Sequence, residues 1–143
     1  SVVELIKDSK RLLEATWNGD EEAVAEGVGK AHMEACSILG YNNEGSFQSA
    51  LHLAYYYAKS YYTIINELPA GKGFADCAFI PYKPNVPAII IELKKDDTVD
   101  TAIDQIKERK YPKALEKYKN NLLLVAISYD PKTKEHFCRI EKA

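Results

Sequence analysis

Three side chains near the middle of this sequence have types and spacing that could do chemistry: Asp76, Glu92 and Lys94. Glu92 and Lys94 close the run AIIIELK, residues 88–94. Alternate residues of a strand share a face, so Ile90, Glu92 and Lys94 point one way and Ile89, Ile91 and Leu93 the other. An apolar run without alternation predicts a central strand covered on both faces. A carboxylate and an ammonium at its end are then partly buried, which is costly unless they are paired or bind a metal. Asp76, on the strand before, adds a second carboxylate. The residues by themselves allow two readings: an ion pair that closes a strand end, or a metal site with a lysine beside it.

The elements that must position these residues follow from periodicity and punctuation. GFADCAFIP, from Gly73, reads as one strand and residues 88–94 as the next, with Pro81, Pro84 and Pro87 punctuating the loop between them. Upstream, Val2 to about Ala15 has helical spacing, Asn18-Gly19-Asp20 interrupts it, and a second helix runs to about Leu39, before Gly40. Asn43 is placed to cap a third helix, from about Gly45 to Lys59, and YYTIINEL, residues 61–68, reads as the first strand. Pro69 to Gly73 is expected to be a turn. Downstream, Asp96, Asp97 or Thr98 caps a helix from Val99. Pro112 makes Tyr111 unsuited to helix, a short helix follows from about Lys113 to Lys119, LLLVAISY (122–129) is a buried strand, and His136–Ile140 closes a hairpin.

The chain of 143 residues suits one domain with a sizeable core, and its 46% hydrophobic and 28% charged content is ordinary for a globular protein. No apolar run approaches the roughly 20 residues that span a bilayer, and the start, SVVELIKDSK, lacks a signal-peptide pattern. Cys36, Cys77 and Cys138 form no C-x-x-C, which points to a reducing, cytoplasmic setting. The chain opens on Ser1 in mid-helix pattern, as expected of a domain from a longer protein. The net charge of −2 argues against a nucleic-acid binder, but its distribution is uneven. Residues 1–44 carry 4 Lys/Arg against 9 Asp/Glu, and residues 45–143 carry 15 against 12. A mild basic surplus therefore lies with the candidate site, where a phosphate backbone would bind; a solvated surface of mixed charge reads equally well.

Asp76 followed by Glu92-Leu93-Lys94 resembles the signature of the PD-(D/E)XK nuclease superfamily, with Ala75 in place of the proline. The tripeptide alone is a cheap signal. The pattern [DE]-x-K occurs four times, at Asp8, Glu92, Glu108 and Asp130, but only Glu92 ends a buried strand that follows a strand bearing an aspartate. After the two leading helices the expected order is α, β, β, β, α, β, β, which is similar to the superfamily core plus one strand. The resemblance implies an α/β fold: a restriction-endonuclease-like αβββαβ core with a mixed central sheet over residues 43–143, preceded by an N-terminal helical extension or lid over residues 1–42. The run AIDQIKERKY, Asn43-Glu44, Gly71 and Gly73 before the aspartate, and Trp17-Asn18-Gly19-Asp20 resemble a branch of bacterial domains found C-terminal to AAA-ATPase-like modules. Phe47-Gln48 and Phe74 depart from that branch, which carries Tyr-His and Arg there. Arg109 stands where the Q-x-x-x-Y spacing of RecB-type nucleases would need a tyrosine after Gln105.

This resemblance implies a metal-dependent nuclease, on DNA more than RNA, with Mg²⁺ (or Mn²⁺) as cofactor. Asp76 and Glu92 would supply the metal's carboxylates, the Leu93 carbonyl a third oxygen, and Glu44 a further carboxylate for a second metal or a water. Lys94 would orient or deprotonate the water or stabilise the transition state, and Gln105 would join the catalytic set. Glu44 reads equally as a favourable charge at a helix N-terminus, Gln105 as a polar helix-surface residue, and Glu67 more as a sheet-edge charge than a ligand. Lys95, Lys107, Arg109, Lys110, Tyr111 and Lys113, with Lys117 and Lys119 beyond, could track a phosphate backbone or form a solvated face. Tyr55, Tyr56, Tyr57, Tyr61 and Tyr62 could stack on bases, but core packing accounts for them better. His32 and Cys36 are spaced as a metal pair with no second pair in sight, and Gly71-Lys72-Gly73 lacks the rest of a phosphate-binding loop. The expected partners are nucleic acid and an upstream AAA-ATPase-like domain, with no membrane and a homodimer left open. The alternative function is a catalytically inactive nuclease-like module that binds nucleic acid or a protein.

Overall fold

Helices lead the chain and a sheet follows. The computed structural model describes residues 2–39, 44–70, 73–95, 98–108 and 113–143, without the side chains of 2, 35–39, 44–47, 67–70, 73–75, 95, 113 and 114. Helix α1 spans Val2–Trp17 and α2 Glu21–Leu39. Between them Gly19 takes φ 69°, a left-handed turn that favours glycine, and Asp20 caps α2 by accepting the Ala23 N–H at 3.2 Å. Helix α3 spans Glu44–Ala54 and a 3₁₀ helix covers Tyr56–Ser60. The sheet is built from β1 (Tyr62–Ala70), β2 (Gly73–Pro81), β3 (Ala88–Lys95), β4 (Leu122–Tyr129) and β5 (His136–Lys142). Between β3 and β4 lie α4 (Val99–Glu108) and the single turn α5 (Lys113–Glu116).

The strand order is sequential, β1 to β5, with β3–β4 parallel and the other three pairings antiparallel. A parallel pair cannot be joined by a tight turn, so the α4–α5 crossover is a requirement of that pairing. The result is an α/β fold with a five-stranded mixed sheet behind two N-terminal helices, in the restriction-endonuclease-like order. The central position of β3 and β4 explains their unbroken apolar runs. Ile89, Ile90 and Ile91, and Leu124 to Ile127, are all at most 1% exposed.

Alternation sends the strand residues into two cores. On one face Cys77, Phe79, Ile89, Ile91, Leu93, Val125 and Ile127 join Leu12, Leu13, Val24, Val28, Leu51 and Tyr55 from the helices. On the other, Ala78, Ile90, Leu124 and Ala126 pack against Ala102, Ile103 and Ile106 of α4 and Leu115 of α5. Helices α1 and α2, read from sequence as an extension or lid, thus contribute to the same core as the sheet.

Several boundaries differ from the sequence reading: the short helix expected to about Lys119 ends at Glu116, the last strand runs past Ile140 to Lys142, and two differences near the candidate site have a structural reason. The third helix stops at Ala54 and tightens to 3₁₀, with the Ala58 N–H reaching back to the Tyr55 carbonyl at 2.9 Å. The cause is tertiary: Tyr55 is fully buried, with its hydroxyl 2.8 Å from Thr16 Oγ1. The turn expected at Pro69–Gly73 is shorter, because β1 runs to Ala70, which pairs with Gly73. Pro69 is tolerated in the ladder because β1 is an edge strand.

Candidate active site at the ends of β2 and β3

The β2–β3 ladder is regular for Cys77↔Ile91, Ala78↔Ile90 and Phe79↔Ile89. One step further along the same register stand Asp76 and Glu92. There the Asp76 carboxylate takes the place of a backbone acceptor: its Oδ2 accepts the Leu93 N–H at 2.7 Å. That bond ties the aspartate to the middle residue of Glu92-Leu93-Lys94. Glu92 is 3% exposed. By alternation Glu92 and Lys94 follow Ile90 onto the α4 face, while Leu93 joins the opposite core. Lys94 is half-buried.

Asp76 also borders a pocket of about 210 Å³, with Gln48, Leu51 and His52 of α3, Asn66 of β1 and Leu93 of β3. Asp76 therefore stands near the meeting of α3 with the strand ends. Burial, first, and the neighbouring Asp76 charge, second, push the Cys77 thiol up to about 12, so Cys77 is an inert core thiol at neutral pH. His52 and Asn66 were missed from sequence. The signal available was the helical spacing of Gln48, Leu51 and His52 ahead of the strands, which marks one stripe of α3.

Lys94 also belongs to a row that crosses the sheet. It pairs with Ser128 on β4, and Ser128 with Phe137 on β5. Gln105 lies on α4, half-buried, and its Oε1 is enclosed with no hydrogen-bond partner among the described residues. Lys107 is committed elsewhere, in an ion pair with Glu141 at 2.5 Å. The side chains of Glu44, Glu67, Lys95 and Lys113, and all of Arg109, Lys110 and Tyr111, lie outside the described residues.

The tyrosines divide. Tyr55 and Tyr62 are core residues; the Tyr62 hydroxyl accepts from Trp17 Nε1 at 2.8 Å and donates to the Pro87 carbonyl at 2.7 Å. Tyr56 is exposed, and Tyr57 and Tyr61 are half-buried. His32 is buried with Nδ1 2.8 Å from His136 Nε2, so it meets β5; the Cys36 side chain lies outside the described residues.

A divalent metal can be tested against these donors. The described residues contain no group of three or more His, Cys, Asp and Glu side chains placed to hold an ion. They offer two carboxylates, Asp76 and a buried Glu92, on adjacent strand positions. An all-oxygen set with few protein ligands fits Mg²⁺, which keeps several of its waters, and does not fit zinc.

A sequence profile of the PD-(D/E)XK nuclease superfamily matches residues 42–137, about two thirds of the chain. Comparison with curated proteins and with solved structures returned no match.

Proposed function

The chain belongs to the PD-(D/E)XK nuclease superfamily, and from that membership we propose that it is a Mg²⁺-dependent nuclease that hydrolyses phosphodiester bonds of DNA. The observation that carries this reading is the Asp76–Leu93 hydrogen bond, which joins the aspartate of β2 to the Glu92-Leu93-Lys94 tripeptide of β3. Asp76 and Glu92 hold the cation, whose charge offsets the cost of burying Glu92. The Leu93 carbonyl leaves the same strand edge as its N–H, toward Asp76. A bound divalent cation supplies neutralising charge at the phosphate and a water of lowered pKa. Lys94, on the face of Glu92, lends positive charge where negative charge builds in the transition state. Glu44, at the start of α3, is proposed as a further carboxylate, and Gln105 as a polar group that orients the phosphate or the water.

Lys95, Arg109, Lys110, Tyr111 and Lys113 are proposed to follow the DNA backbone, with Lys107 a lesser contributor because Glu141 neutralises it. An upstream AAA-ATPase-like module and a cytoplasmic setting belong to the same reading. Among the described residues no helix is long and apolar enough to cross a membrane.

A second reading, a nuclease-like module that binds without cutting, is favoured by the net charge of −2 and by the pairing of Lys107 and Arg139 with Glu141 and Asp100. Cleavage of plasmid and single-stranded DNA with Mg²⁺ or Mn²⁺, with and without chelator, separates the two. The nuclease reading expects cleavage that stops with chelator and in Glu92→Gln and Asp76→Asn. Binding without cleavage under every metal supports the second reading, and cleavage that ignores chelator sinks the metal mechanism.

A further inference from the structure

Beyond the residues that would hold the metal lies a second cavity, of about 550 Å³, at the carboxyl ends of the two parallel strands. Its lining includes Thr98 and Val99 at the start of α4, Ser128 and Asp130 after β4, Lys132, and Phe137 of β5. The volume is in the range of small-ligand sites. Phe137 is 46% exposed there, although it stands in a sheet strand opposite the buried Ser128. An aromatic face in the wall of a concavity, with polar groups converging beside it, is a feature of ligand sites.

The register says which occupant. Lys94, Ser128 and Phe137 form one row across β3, β4 and β5. Phe137 is therefore two strand spacings, roughly 10 Å, from Lys94. Ser128, in the cavity lining, is the cross-strand neighbour of the lysine at the strand end that would carry the reaction. The cavity's charge selects between the parts of a nucleotide. Asp130 is fixed in the lining, with Oδ1 accepting the N–H groups of Lys132 at 2.9 Å and Thr133 at 3.4 Å. A carboxylate there repels a phosphate but accepts hydrogen bonds from the edge of a neutral base. Lys132, exposed on the rim, can meet the phosphate outside. The neighbouring cation on β5, Arg139, is already held by Asp100 and Glu141.

We propose that this cavity receives an unpaired base of the DNA strand, stacked on Phe137, one step along the strand from the phosphate at Lys94. The assignment rests on the nuclease reading above. Every base has a π-face, so the contact is tolerant of sequence, and the edge groups of Ser128, Thr98 and Asp130 add at most a modest preference.

The test is affinity of the purified chain for a short single-stranded DNA oligonucleotide, measured with chelator present to prevent cleavage. Phe137→Ala is expected to raise Kd by about 5- to 150-fold, the effect typical of one base–aromatic stack. Phe137→Trp should restore affinity and Phe137→Leu should not. An abasic site walked along the oligonucleotide should, at one position, erase the difference between parent and Phe137→Ala. Phe137 is exposed, so the variants keep the parent's melting temperature; one that does not is replaced by Phe137→Tyr, which must bind as the parent does. Equal Kd for parent and Phe137→Ala, with chelator-sensitive cleavage in both, overturns the stacking site and leaves the nuclease reading standing. Retained affinity in Phe137→Leu, or a change in sedimentation without a change in Kd, overturns it in favour of a plain apolar or protein contact. A parent that neither binds nor cleaves DNA overturns both.

Discussion

On one face of the sheet three helices press against the strands, and polar groups they carry find side-chain partners across the core: Thr16 with Tyr55, Trp17 with Tyr62, His32 with His136. On the other face, among the described residues, a single ten-residue helix, α4, and the turn α5 give cover, and at the N-terminal end of α4 a cavity begins. There Lys94 is half-buried, Phe137 is 46% exposed, and the cavity opens. Both faces belong to the same strands, whose alternate residues line each in turn. What differs is how much helix is laid across each. A closed face is a place for stability, and an uncovered strand end is a place where a substrate can reach polar groups held by a rigid sheet.

That contrast can be broken from either side. The largest effect expected is on the closed face: Leu13→Ala, at a site with no exposure, should cost about 2–5 kcal/mol in urea denaturation. A loss well under about 1 kcal/mol would show that α1 is an extension after all. On the open side Lys94→Ala should leave the melting temperature in place and lower turnover by about 10²–10³-fold, roughly 2.7–4 kcal/mol. A variant that melts early, or that cuts as fast as the parent, moves Lys94 from chemistry to structure.

A smaller effect sharpens the account of the closed face. Burial, first, and the neighbouring His32, second, lower His136 to about 4. A base depressed in the folded state binds fewer protons than in the unfolded chain, so its stabilisation is complete above about 6.5 and is lost as pH falls from there toward about 4. For a half-buried ring this amounts to about 1 kcal/mol after solvent screening. Unfolding of parent and His136→Gln at about pH 7 and about pH 5 should show the steeper fall in the parent. Parallel losses would remove His136 as the source.

The smallest effect expected is at Lys107. Its exposed pairing with Glu141 should contribute about 0–1 kcal/mol to stability, and Lys107→Ala should barely change the salt dependence of DNA binding. Joint substitution of Arg109, Lys110 and Lys113 by Ala should instead flatten that dependence by about one unit for each phosphate these side chains neutralise. An equal flattening from Lys107→Ala alone would show that the Glu141 pairing yields to DNA.

Much of this was legible in the residues. The apolar runs of β3 and β4, the proline-punctuated loop after β2 and the Asn18-Gly19-Asp20 break placed most element boundaries within a few residues, because periodicity and turn chemistry act over short distances. The same local rules put Glu92 and Lys94 on one face. Pro69 misled, since its lack of an N–H argues for a turn wherever the strand's neighbours are unknown.

The sequence by itself determined the elements, the parity of each strand and the motif that sets this chain among the PD-(D/E)XK nucleases. Only the tertiary structure decided that β1 is an edge that can hold Pro69, that Asp76 bonds the Leu93 N–H, that Glu141 claims Lys107, and that Lys94 and Phe137 share a row. Each of these joins residues well apart in the chain. Such contacts depend on strand order and register, and those emerge from the packing of whole faces and not from any local stretch.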